Sequence, residues 1–365
     1  MTNILQKALF IMDISSYLNI AKHITCNRLG LSHYPSYCTF IYTWKCNLRC
    51  GMCDIWKRPT DNNELNVDQI TEMFYKLRFL KFIRITGGEP FLRNDIIEVI
   101  ESIVNTVNPA ILHLTTNGYF TDRTLDLLDR VAGKYLHLKV SIDGPEVIHD
   151  TIRGVKGSYK KAIETLEKSA RLQKIKKFHL GVNYTIQREN CDIKYLNELS
   201  SFCKGLGVDF HSYFAYEPPP LYAAQQSVGL ETAYRSFENK KNNLVELLNL
   251  LPKYTFSSAR ADSYKERYYI KGFKNRIING INRPNPRCVE LGSHIRLLPN
   301  GDITVCLYKP DVVGNVLHSD FDHLWFHNNL IKESRKEVRS CHGCWAGCEI
   351  GPNAIFTGDI VRVMP

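Results

Sequence analysis

From residue 38 to about 216, short apolar or β-branched runs alternate with longer stretches of helical periodicity. The runs are Cys38–Thr43, Lys81–Thr86, Ala110–Thr116, Leu136–Ile142, Phe178–Thr185 and Val208–Phe214. Between them lie Val67–Leu77, Asp95–Val107, Asp122–Val131, Tyr159–Leu172 and Ile193–Lys204, where apolar side chains recur every three or four positions. Six strands alternating with five helices predict βα units and a parallel sheet. The runs are fairly apolar throughout, as expected of strands covered on both faces.

The flanks read differently. The apolar stretch from Ile4 to Ile24 is broken by Lys7, Asp13 and Lys22, too many charges for an unaided membrane helix. It also lacks the small-residue cleavage site of a secretory signal. An amphipathic N-terminal helix is expected there. Glu217-Pro218-Pro219-Pro220 marks a boundary, followed by a helix over Glu231–Leu251 and a partly helical, aromatic and basic Tyr264–Ile281. After Asn282-Arg283-Pro284-Asn285-Pro286, the runs Ile295–Leu298 and Ile303–Leu307 flank Pro299-Asn300-Gly301-Asp302, a hairpin signal. The expected division is an extension over 1–37, a barrel over 38–216, a helical linker over 217–287 and a cysteine-rich unit over 288–365.

Polar and glycine-rich loops follow the strands on one side. Trp44 to Cys53 follows the first, Gly87-Gly88-Glu89-Pro90 the second, Asn117-Gly118 the third and Asp143-Gly144 the fourth. Ligands of parallel α/β folds bind at the carboxyl ends of strands. Turn punctuation explains each loop singly, but not their alignment on one rim.

Composition narrows the chemistry. Of twelve cysteines in 365 residues, eight fall in two groups and Cys26, Cys38, Cys191 and Cys203 stand alone. Such a chain is no secreted disulfide scaffold, and its thiols point to a reducing cytoplasm and metal–sulfur chemistry. The hydrophobic fraction of 44% and charged fraction of 23% are ordinary for a globular protein. A net charge of +10 suits a solvated basic surface or an anionic substrate; the scattered Lys and Arg do not favour nucleic-acid binding.

Cys46, Cys50 and Cys53 are spaced by three and two residues directly after the first strand. Three local thiolates can hold three irons of a [4Fe–4S] cluster and leave the fourth open to another ligand. The alternatives are zinc or plain burial. Zinc needs a fourth ligand nearby, and none follows Cys53 within reach.

This spacing, joined to Gly87-Gly88-Glu89-Pro90 and to Ser141-Ile142-Asp143-Gly144 with Ile152-Arg153-Gly154, resembles the radical S-adenosylmethionine (SAM) superfamily. The resemblance covers residues 38 to 216 and implies an α/β fold, a partial (β/α)6 TIM-like barrel. It departs from the family where Met52 stands at an often aromatic position. By resemblance, Cys46, Cys50 and Cys53 ligate the catalytic [4Fe–4S] cluster. Gly87, Gly88 and Glu89 approach the methionine amino group of SAM. Ser141 and Asp143 face the ribose hydroxyls or nearby polar atoms, and Arg153 pairs with the methionine carboxylate unless it forms a surface ion pair. Thr116, Asn117 and Asn183 line the same pocket. The cofactors supply one-electron cleavage of SAM to a 5′-deoxyadenosyl radical that abstracts hydrogen, with electrons from a reductant such as flavodoxin or ferredoxin.

The second cysteine group resembles the auxiliary-cluster extension called SPASM, or its shortened twitch form. Cys288 and Cys306 flank the hairpin, and Cys341 and Cys344 form a C-x-x-C pair. These four are expected to bind one auxiliary [4Fe–4S] cluster, with Cys348 an alternative ligand or a buried residue. A zinc knuckle is the competing reading of the pair. Cys191, after the fifth strand, is a candidate hydrogen-atom donor; a buried hydrophobic role is the alternative. The expected function is redox modification of a peptide or protein. The alternatives are a small-molecule dehydrogenase or epimerase of cofactor or natural-product biosynthesis, and a non-catalytic electron-transfer protein.

Overall fold

A computed structural model describes residues 14–59, 63–216, 219–222, 237, 241–258, 260–341 and 344–363. Helix α1 (Ile14–Leu29) precedes β1 (Tyr37–Thr43). Five βα units follow: α2 (Val67–Lys76), β2 (Phe82–Gly87), α3 (Ile96–Val107), β3 (Ile111–Thr116), α4 (Thr121–Val131), β4 (Leu136–Ser141), α5 (Glu146–Arg153), α6 (Ser158–Gln173), β5 (His179–Ile186), α7 (Ile193–Leu206) and β6 (Asp209–Phe214). Then come α8 (Lys241–Tyr254), α9 (Arg260–Ile278), the strands β7 (His294–Leu297), β8 (Asp302–Thr304) and β9 (Val312–Asn315), and the helices α10 (Asn329–Ser340) and α11 (Gly347–Thr357). Residues 1–13 and most of 217–240, where the N-terminal stretch, the proline boundary and the start of a helix at Glu231 were expected, lie outside the described residues.

Strands β1 to β6 pair in parallel in chain order, each with its sequence neighbour. The C-terminal hairpin does not stand apart from them. β7 pairs in parallel with β1 from Tyr37↔His294 to Phe40↔Leu297, and β8 and β9 continue antiparallel in one nine-stranded sheet. Without β7, the backbone groups of β1 would form an open sheet edge.

The strands' outer faces carry Phe40, Ile83, Ile85, Leu112, Leu114, Leu138 and Val140, all fully buried beneath the helices. Alternation puts the remaining positions on the inner face, which is polar. The ladder register lays Arg296, Thr39, Arg84, His113, His137 and His179 side by side across six strands. Apolar content along the strands did not predict this row. Helix α9 supplies its partners: Asp262 lies 3.8 Å from His137, 3.9 Å from Lys139 and 2.6 Å from Lys265, and Glu266 meets His211. Burial pushes the Lys139 ammonium down to about 8 and the His113 and His137 imidazoles below their ordinary range.

Helix α5 was not anticipated as a separate element. It ends at Gly154, and Asp150 then bridges the turn into α6, accepting from Gly157 N at 2.6 Å, Ser158 Oγ at 2.8 Å and Tyr159 N at 2.8 Å. Although burial opposes its charge, these donors hold the Asp150 carboxyl below its ordinary value. Its contribution is therefore present above about pH 4 and lost as pH falls through the lowered value. Asp150→Ala should cost about 1–2 kcal/mol at pH 7, with the gap to the parent closing in acid. Denaturant melts at both pH values test this; equal stability at pH 7 contradicts it.

Candidate active site

Where β1 ends at Thr43 the chain leaves the sheet, and every side of the following loop is tied to another element. Gly88 N donates to Thr43 O at 2.7 Å and Glu89 N to Lys45 O at 2.8 Å, so the turn after β2 grips the loop's start. Arg49 N donates to Arg153 O and Gly51 N to Ile152 O, both at 3.0 Å, which fastens its middle to the end of α5. Asn47 Oδ1 accepts from Asn117 Nδ2 at 2.9 Å, a link to the loop after β3. Glu64 Oε1 accepts from Thr43 Oγ1 at 2.6 Å and Trp44 N at 3.0 Å.

These approaches leave no room for side chains. A Cβ on Gly88 would lie 2.0 Å from Lys45 O, and one on Gly154 would lie 2.5 Å from Arg49 O. The glycines expected to approach a ligand's amino group thus first approach the cysteine loop; Gly87, at φ 138°, does the same against Thr43 O.

The loop gathers three thiols. Cys50 is buried and Cys46 and Cys53 are half-buried; Cys46 feels the charge of both other thiols and Cys53 that of Cys50. Burial pushes the Cys46 thiol up to about 12 and the Cys53 thiol up to about 11. Soft donors such as these suit a metal centre whose positive charge removes their protons. A cationic group also stands beside them: Arg153 Nη1 is 3.8 Å from Cys50 Sγ.

Around the thiols, the anticipated residues take definite places. Glu89 is 1% exposed, with Oε1 accepting from Phe91 N at 3.1 Å and Thr116 Oγ1 at 2.8 Å, and Oε2 from Asn117 N at 2.7 Å. Burial raises its carboxyl to about 7 despite those donors. Ser141 and Asn183 are register partners on β4 and β5, and Asn183 Oδ1 is buried with no protein partner. Such an acceptor fits a ligand donor.

Two of the anticipated residues meet each other. Asp143 is fully buried among polar atoms, with Oδ2 2.6 Å from Arg153 Nη2 and Oδ1 accepting from Thr185 N at 2.8 Å. Arg153, in turn, is no surface residue, and the carboxylate it pairs with here is Asp143. A buried carboxylate needs a fixed counter-ion, and the guanidinium supplies it while keeping Nη1 toward Cys50. Cys191 is 1% exposed, packed in the core on the helix side of the sheet and within electrostatic reach of Tyr184. Such burial fits the buried hydrophobic alternative.

In the C-terminal group, Cys288 lies within electrostatic reach of Cys344, and both Cys288 and Cys306 feel Glu290 and Glu349. Burial raises Cys306 to about 11, and Lys309 N donates to its sulfur at 3.2 Å. That donor favours a thiolate, as a metal ligand requires. Cys341 caps α10 and is exposed; Cys348 lies in the first turn of α11, its side chain outside the described residues.

Comparison with known proteins agrees with this geometry. The model of the radical SAM superfamily matches residues 40–190, and that of SPASM, an iron–sulfur cluster-binding domain, matches residues 288–345. The chain is a radical SAM protein with a SPASM domain. These domains imply a [4Fe–4S] cluster, SAM and an auxiliary iron–sulfur cluster. It is 26% identical over 291 residues to a probable GTP 3′,8-cyclase of Methanococcus aeolicus, covering 75% of this chain and 86% of the relative. With the GTP 3′,8-cyclase of Aquifex aeolicus the identity is 28% over 308 residues, covering 81% and 87%. Among solved structures, Streptococcus suis SuiB bound to precursor peptide SuiA matches with a TM-score of 0.59 at 17% identity, over 87% of this chain and 71% of that one. Among the described residues no helix is long and apolar enough to cross a membrane.

Sequence reasoning missed the bracing residues Asn47, Glu64 and His149, whose Nδ1 accepts from Asp143 N at 3.1 Å. Asn47 sat in plain view inside the cysteine motif; nothing local marked the other two. Replacing Glu89 with Gln puts an amide donor against Asn117 N or Thr116 Oγ1. Glu89→Gln should lower 5′-deoxyadenosine formation about a hundredfold with the cluster retained. Parent-like turnover would remove Glu89 from the SAM pocket.

Proposed function

We propose that this protein is a small-molecule radical SAM enzyme of cofactor biosynthesis type, acting on a polar substrate of nucleotide size. The observation that carries this reading is the alignment with GTP 3′,8-cyclases along three quarters or more of the chain. The expectation of a peptide maturase yields to it: the likeness to a peptide-bound protein is at 17% identity and speaks for the fold alone. The relatives are named as cyclases, so net oxidation of the substrate has no separate support either.

In this proposal Cys46, Cys50 and Cys53 hold the catalytic cluster. Glu89 receives the methionine ammonium on a remaining lone pair, and Ser141 and Asn183 meet the ribose hydroxyls. Arg153, anchored by Asp143, keeps positive charge beside Cys50. Thr116 and Asn117 fix the carboxylate of Glu89. When bound, the cluster and SAM supply reductive C–S cleavage and the 5′-deoxyadenosyl radical, fed by a flavodoxin- or ferredoxin-like reductant. Cys288, Cys306, Cys341 and Cys344 hold the auxiliary cluster, with Cys348 as the alternative ligand. The assembled pocket argues against a protein that carries clusters without turning SAM over.

Anaerobic incubation with SAM, dithionite and GTP should raise 5′-deoxyadenosine about tenfold over the substrate-free level and yield a modified nucleotide. Stimulation by peptides with none by nucleotides would overturn the reading. Cys344→Ala should keep substrate-free SAM cleavage and lose product; normal product formation would remove the auxiliary site from the reaction.

A further inference from the structure

A second cavity of about 650 Å3 lies at the opposite end of the strands. Residues 26–33, which precede β1, residues 285–292, which precede β7, and helix α10 surround it. The cysteine loop follows the other end of β1, a seven-residue strand, so the two sites are about 20 Å apart. This cavity belongs to neither the SAM pocket nor the mouth of the barrel, and Cys288 of the auxiliary group stands on its wall.

Four arginines border it: Arg28, Arg287, Arg335 and Arg339. Among the described residues none of them forms an ion pair with a carboxylate. Their fixed partners are neutral: Arg339 Nη2 donates to Gly30 O at 2.8 Å, and Arg28 Nη2 to Thr357 O at 3.4 Å. Arg335 is 8% exposed, lies 4.5 Å over the Trp325 ring and donates through Nε to Leu291 O at 2.6 Å. Its Nη2 is buried with no partner. Two carboxylates also border the cavity. Glu290 Oε1 is committed to Arg296 at 2.8 Å while its Oε2 is buried without a hydrogen-bond partner, and Asp359 lies on the far wall.

Burying a guanidinium with an unmet donor is costly unless something anionic completes it. Burial and the neighbouring Arg339 pull the Arg335 guanidinium down to about 10, the sign of a positive site short of negative charge. Several guanidiniums around one concavity are more than a single carboxylate can use, whereas a phosphate offers acceptors to all of them. The volume is that of a small-molecule site. We propose that this cavity binds a small phosphate-bearing polyanion, with Arg335 as its buried anchor and Arg28, Arg287 and Arg339 as its rim.

Calorimetric titration of the cluster-loaded full-length protein with pyrophosphate, in chloride buffer at constant ionic strength, tests the assignment. Sub-millimolar binding is expected, as is about a tenfold loss in each of Arg287→Ala and Arg339→Ala, the effect of one charge-assisted hydrogen bond. These rim residues are exposed, so the variants should fold even where Arg335→Met does not. Substrate-free SAM cleavage should be unchanged in both. No binding, binding unaltered in the two variants, or citrate binding as tightly as pyrophosphate would each overturn the proposal.

Discussion

Three thiols must converge on one point from a loop with no regular structure of its own, and backbone contact with neighbouring elements is what makes them do so. The β1–β2 pairing runs past Thr43 into the loop through Gly88 and Glu89, and α5 holds the other side through Ile152 and Arg153. Gly88 and Gly154 sit where any side chain would force these elements apart. The same contacts set the pocket's polar groups. Glu89 follows Gly88 directly, and Arg153 precedes Gly154, so the residues that clamp the loop also deliver charge to the thiols.

Buried charge on the inner face ties the C-terminal segment to the barrel. Arg296 Nη2 donates to Glu290 at 2.8 Å and to Glu349 at 2.5 Å, while His294 Nε2 meets Thr39 Oγ1 at 2.9 Å. Glu290 lies two residues from Cys288 and Glu349 beside Cys348. Removing either carboxylate would leave a buried guanidinium undercompensated, so the network positions the auxiliary cysteines as well as closing the sheet.

Much of this was legible in the sequence because the relevant signals are local. Strand and helix periodicity gave β1 to β6 and five of their helices to within a few residues, and the motif loops fell at the strand ends where the structure puts them. What was hidden depends on partners far along the chain. Asp143 and Arg153 were legible as a motif but not as a pair, since their 2.6 Å contact arises from the fold of α5. The pairing of β7 with β1 joins segments some 250 residues apart and leaves no periodic trace. Cys191 looked available because its loop follows a strand; only packing beside Tyr184 shows which side of the sheet it occupies.

The central claim is that Cys46, Cys50 and Cys53 hold a cluster that cleaves SAM. Cys50→Ala, reconstituted anaerobically beside the parent with iron and sulfide quantified, tests it when followed by dithionite, SAM and a 5′-deoxyadenosine assay. The account predicts about eight irons per parent chain, about four in the variant, and deoxyadenosine from the parent alone. Deoxyadenosine from the variant at the parent's rate would contradict it.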